Sequence, residues 1–110
     1  MAQVIVHLAG LPETPLDAAA AFFRDHLPAA REALGKADDL LLVFEPAGHD
    51  HRGWRLAAVQ ELAREAAPRR VNALAGDDAG ALADAAAYLA AAGGVTGQLL
   101  AVDGKAAENG

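Results

Sequence analysis

The chain contains no cysteine and no serine, and of aromatic residues only three phenylalanines, one tryptophan and one tyrosine, Tyr88. Without cysteine there is no disulfide framework, no thiolate nucleophile and no zinc thiolate site, and a reducing cytoplasmic setting is the expectation. Aromatics make up 5% of a chain that is 54% hydrophobic, so the apolar content is largely alanine, which packs helices closely but fills little volume. Basic side chains are also scarce. Nine Lys and Arg against fifteen Asp and Glu give a net charge of -6, and the only basic doublet is Arg69-Arg70. Nucleic acid and anionic membrane both require a concentrated basic patch, so neither is an expected partner. Long apolar runs are missing too: the opening MAQVIVHLAG has no basic n-region and is too short to span a bilayer.

What is present is an alternation of short apolar runs and alanine-rich amphipathic stretches. A length of 110 residues suits one domain, which at this size buries roughly two-thirds of its unfolded surface. Gln3 to Leu8, with β-branched Val4-Ile5-Val6, predicts a first strand. Thr14-Pro15-Leu16-Asp17 reads as a helix start, with Thr14 as N-cap, Pro15 at the first helical position and Asp17 favoured by the dipole. Leu16, Ala20, Phe23, Leu27 and Leu34 predict the buried stripe of that first helix, and Pro28 inside it predicts a kink or break near Arg24 to Leu27. Strand two is expected at Leu40 to Phe44, then a polar loop Glu45 to Gly53. The second helix runs from about Trp54 to Ala67 with Arg55, Gln60 and Arg64 on its outer side. Strand three follows at Arg70 to Ala75, helix three at about Asp78 to Ala92 and strand four at Gln98 to Val102, closed by an Asp103-Gly104 turn and a frayed tail over 105–110. The order β-α-β-α-β-α-β predicts an α/β fold: a Rossmann-like parallel sheet of about four strands with three helices, joined by right-handed crossovers, helices on both faces.

Three stretches carry a resemblance. VIVHLAG at 4–10, LAREAAPRRVNALAG at 62–76 and YLAAAGGVTGQLLAVDG at 88–104 resemble the later strands of the short-chain dehydrogenase/reductase (SDR) family, the last two being specific together. The resemblance implies the C-terminal half of an SDR fold, a truncated and degenerate domain over 1–104. The family's Gly-rich cofactor turn belongs to an earlier strand-helix unit, and no GxxxGxG or GxGxxG occurs in this chain. Aligned without gaps through Ala63 to Pro68, the family's catalytic tyrosine falls near Gly48 and its lysine near Arg52, and the strand that carries its serine ends Val43-Phe44-Glu45-Pro46. The resemblance therefore implies no catalytic residues, no bound cofactor and no hydride transfer by this chain.

Read for themselves, the polar residues offer few sites. His49-Asp50-His51-Arg52 is the densest cluster; two imidazoles and a carboxylate suit metal binding or acid/base work, but a third protein ligand is not evident and a solvated loop accounts for the pattern. His7 lies at the strand end where open α/β folds bind ligands, and a strand-capping structural histidine is the competing account. His7, His49, His51 and Arg52 are thus the candidate ligand contacts, with no metal assigned. The alanine-rich helices one and two, with Phe22 beside Phe23, leave one phenyl for a partner, and Phe22, Trp54, Ala57 and Ala58 are the interface candidates. In SDR oligomers the corresponding helices form a four-helix bundle across a two-fold axis. The non-catalytic N-terminal domain of high-molecular-weight ketoacyl reductases is similar in its strand-and-glycine start, Phe-Phe helix and loop at the tyrosine position. The expectation is a structural or regulatory subunit that associates with itself, as a homodimer, or with an active SDR-type ketoacyl reductase. The alternative is a small oxidoreductase-type enzyme or acyl/carbonyl ligand binder using His7 and the His49–Arg52 loop.

Overall fold

In a computed structural model of the chain, residues 3–102 are described; the expected Asp103-Gly104 turn and the 105–110 tail lie outside them. The elements are β1 (Gln3–Leu8), α1 (Pro15–Ala21), a π-helical turn (Phe22–His26), α2 (Leu27–Leu34), β2 (Asp39–Phe44), a 3-10 turn (His49–His51), α3 (Arg52–Ala66), β3 (Arg70–Ala75), α4 (Ala79–Ala91) and β4 (Leu99–Ala101). The strands form one parallel sheet in the order β1-β2-β3-β4. The fold is α/β and Rossmann-like, as the alternation predicts.

Strand parity divides the core in two. Leu40, Leu42 and Phe44 of β2 pack with Phe22 of the π-helical turn, α2 and α3, while Leu41 and Val43 point the other way, towards α4 and its buried Leu89. Both faces of β2 and β3 are therefore covered, which is why these strands read as unbroken apolar runs. The outer face of β1 has less cover, and Ile5 there is 43% exposed.

This arrangement corrects the expectation of uniform handedness. The three crossovers step across the sheet in one direction, and a single hand would place every helix on one face. With α3 and α4 on opposite faces, the β3-α4-β4 crossover has the opposite hand to the two before it.

The break at Pro28 takes the form of the π-helical turn. Pro28 has no N–H to donate to Arg24, and the chain widens ahead of it, so that the Leu27 N–H donates to the Phe22 carbonyl five residues back. The extra residue rotates the helix and changes its buried stripe. Ala18, Phe22, Ala30 and Leu34 face the core, whereas Leu16 is 82% and Phe23 47% exposed, the reverse of the expected side for those two.

The β3–β4 end is held by polar clamps. Buried Asn72 accepts from the Gln98 N–H and donates to the Val95 carbonyl, both at 3.0 Å. The Val71 N–H donates to Thr96 Oγ1 at 3.1 Å, and Gly97, at φ 75°, turns its own N–H onto the Val71 carbonyl at 2.7 Å. Arg70 acts at the same end of the strands: its guanidinium pairs with Asp39 and donates to the Leu89 carbonyl at 2.9 Å and to the Ala92 carbonyl. It thereby satisfies acceptors that the end of a helix leaves open. At Gly76 the Val102 carbonyl oxygen lies 2.1 Å from where a Cβ would stand.

Candidate functional site

The connections after β1 and β2 meet at the C-terminal ends of the strands, where open α/β sheets hold ligands. Gly10, just past β1, donates its N–H to Glu45 Oε1 at 3.2 Å and so ties the first loop to the second. The 3-10 turn then leads directly into α3, replacing part of the polar loop expected there.

That turn separates the two loop histidines. His49 is exposed; His51 is buried. The indole N–H of Trp54 donates to His51 Nδ1 at 3.1 Å, and because an indole nitrogen can only donate, the ring proton sits on Nε2. Nε2 donates in turn to the Glu13 carbonyl at 2.7 Å. Both nitrogens are used, so His51 fastens the first loop to α3 and has no donor left for a ligand. Arg52, the first residue of α3, is exposed beside the cleft.

Arg55 is the residue that the sequence misplaced. Expected on the outer side of its helix, it is 6% exposed, with Cζ 4.5 Å from the centroid of the Phe44 ring and 5.9 Å from that of Trp54. Its buried Nε has no hydrogen-bond partner among the described residues. Burial lowers the guanidinium pKa below its ordinary value, and the charge of Glu45 opposes that shift. The signal was available: Arg55, Val59 and Leu62 recur at helical spacing on the stripe that enters the core.

Two clefts share Ala47, Gly48, His51 and Arg55. One, of about 390 Å³, also holds Glu13 and Glu45. The other, of about 270 Å³, is completed by His49, Arg52, Ala75, Leu99 and Ala101, with no acidic residue in its lining. His7 belongs to neither. It alternates with Leu8 of the α1–α3 face, and lines a separate groove of about 300 Å³ with Leu41, Val43 and α4 on the other side of the sheet. His7 and the His49–Arg52 loop are not brought together.

The interface candidates also divide. Phe22 is fully buried, its ring centroid 6.0 Å from that of Phe44 and 5.6 Å from that of Trp54, and Trp54 completes the aromatic cluster edge-on to Phe44. Ala58 is buried as well, while Ala57 is exposed. The outward phenyl is Phe23. It lies over a groove of about 380 Å³ with Leu27, Ala58 and Leu62, whose charged rim is formed by Arg31, Glu65, Glu61 and Arg64. Arg31 grips Glu65 through two hydrogen bonds of 2.8 and 2.7 Å.

A comparison with protein families found that the model of short chain dehydrogenase-like proteins, called SDR-like, matches residues 6–102. The chain belongs to that family. Searches of curated proteins and of solved structures found no match. Within this SDR-like chain the family-like motifs sit at structural positions: Arg70 closes α4, Asn72 holds the loop before β4, and Gly97 makes the turn into that strand.

The starts of α1 and α4 do not suit the pyrophosphate of a dinucleotide. A pyrophosphate is held by free N–H groups at a helix N-terminus. Asp17 lies in the first turn of α1 and accepts from Thr14 Oγ1 at 2.9 Å, and Asp78, the N-cap of α4, accepts from the Ala81 N–H at 2.8 Å. A carboxylate thus takes an anion's place at α4, and at α1 the first turn already carries a negative charge. Nor does a phenol stand at the cleft: Tyr88 is 61% exposed on α4, across the sheet. Among the described residues, no group of three or more His, Asp or Glu is arranged to hold a metal ion, and no helix is long and apolar enough to cross a membrane.

Proposed function

We propose that this SDR-like chain is a non-catalytic scaffold that works by association, through the outer face of α2 and α3, with a second copy of itself or with an active reductase of the same fold. The observation that carries the reading is Phe23, a large apolar side chain held 47% exposed over a groove floored by Leu27, Ala58 and Leu62. The rim alternates in sign, with Arg31 and Arg64 set among Glu61 and Glu65. A rim carrying both signs can be self-complementary, since a two-fold axis can set an arginine of one copy against a glutamate of the other and the reverse. Exposed Ala57 lies on the same helix and permits close approach. A missing serine, a glycine near the family's tyrosine position and the Asp78 cap of α4 support a role without hydride transfer.

The test is sedimentation equilibrium over a range of protein concentrations, alone and with candidate reductases. The wild type is expected to associate, and Phe23→Asp to shift the equilibrium to monomer while leaving the far-UV circular dichroism unchanged. A wild type that stays monomeric and binds no reductase rejects this reading.

A further inference from the structure

Arg55 is a charged group placed where charge is costly. Desolvating an ion costs several kcal/mol unless a partner compensates, and a ring face and a nearby carboxylate charge are weak compensation for a guanidinium whose buried Nε has no partner among the described residues. The side chain also stands at the wall of a cleft at the C-terminal ends of the strands. Nε itself is sealed off, but the guanidinium lines that cleft and makes no hydrogen bond to another described residue, and the complement of such an incomplete arrangement is an oxyanion.

The lining narrows the chemistry. Among the described residues the 270 Å³ cleft contains Arg52 and Arg55 and no acid; Ala47, Ala75, Leu99 and Ala101 supply small apolar walls, and Gly48, His49 and His51 complete the lining. That volume falls just below the roughly 300–1,000 Å³ of ordinary ligand pockets. His51 cannot contribute a donor, since both its ring nitrogens are already engaged. Two cations beside small apolar walls suit a planar monoanion with a short hydrocarbon body. We propose that Arg55, with Arg52 on the same cleft, binds the carboxylate of a small organic acid whose apolar part lies against Ala75, Leu99 and Ala101. This site is independent of the α2–α3 face, so either assignment stands without the other.

Trp54 is the chain's only tryptophan and lies beside Arg55, which provides a direct readout. The full-length protein is titrated with butyrate and hexanoate, with butanamide as the neutral counterpart, and with inorganic phosphate, following Trp54 fluorescence. Saturable changes are expected for the two acids and none for the amide. Arg55→Lys keeps the charge but loses the planar fork, and is expected to weaken butyrate binding about tenfold. Arg52→Gln, on the exposed first turn of α3, is expected to weaken it severalfold with unchanged circular dichroism, and keeps the test valid if Arg55 variants do not fold. Equal responses to amide and acid, phosphate binding as tight as that of butyrate, or no effect of Arg52→Gln would each overturn the proposal. So would butyrate binding that appears only in a full-length Asp103→Asn, Glu108→Gln variant, because the chain's own acidic C-terminal segment would then be the partner of Arg55.

Discussion

At the scale of single residues, fit decides more than residue type. The role of Gly76 is not legible in the sequence, and that of Arg55 is legible only in its helical spacing from Val59 and Leu62. Gly76 follows β3, and the Val102 carbonyl occupies the space that any side chain would need. Backbone cannot swing aside as a flexible side chain does. Gly76→Ala is therefore expected to cost about 1–3 kcal/mol, read in a thermal melt as a loss of about 4–8 °C per kcal/mol. Arg55 was assigned to the outer face because charged residues are seldom buried without a partner. The rule failed at the position where the structure leaves a donor unmatched, and such failures of local rules concentrate at functional or strained sites. His51 failed in the opposite way. It looked like a ligand residue and serves as a tie between Glu13 and Trp54.

At the scale of elements, the strands and helices were legible almost throughout, because period and caps are local properties. Apolar runs marked β2 and β3, Asp78 marked the start of α4, and Pro28 marked the interruption of the first helix. What the interruption did to the stripe was not legible. A widened turn shifts helical phase, and phase selects which of two adjacent phenyl groups enters the core. Arg70 is the principal fastening between elements, joining β2, β3 and the end of α4 while its side chain is 16% exposed. Arg70→Met leaves Asp39 unpaired and α4 carbonyls open, with an expected loss of about 3 kcal/mol in denaturant unfolding. Adding Asp39→Asn is expected to recover part of that loss, since the stranded charge is then removed.

The Arg31–Glu65 pair joins α2 to α3 in a pH-dependent way. The Glu65 carboxyl is held below its ordinary value, chiefly by its hydrogen bond from Arg31. The folded state thus binds this proton less readily than the unfolded state does. The contribution is complete above the ordinary carboxylate range and is lost as pH falls through the lowered value. The difference in unfolding midpoint between wild type and Glu65→Gln is accordingly expected to shrink from about pH 7 to about pH 3. Added salt is expected to shrink it too, because both side chains are half exposed.

At the scale of the whole molecule, the parallel sheet followed from the alternation of elements, while the assignment of helices to its faces did not. Handedness rules alone place every crossover of a sequentially ordered sheet on one side. The reversal at α4 is set by contacts between segments far apart in sequence, such as Leu89 against Leu41 and Val43. Strand alternation keeps His7 away from the other histidines: it lines the groove on the α4 face, whereas the His49–Arg52 turn lines the cleft beside α3 at the same end of the strands. Two chemically suggestive clusters in the sequence thus became two unrelated places on the fold.

The border position of β1 has a practical result. Among the described residues its far side pairs with no strand, and Gln3 to Leu8 carries neither a formal charge nor a proline. Natural sheets guard such borders with lysine, proline or a bulge to discourage cross-β stacking between molecules. This one has no gatekeeper of that kind, so concentrated or partly unfolded protein is expected to aggregate from this segment first, and a single lysine at exposed Ile5 is the natural remedy.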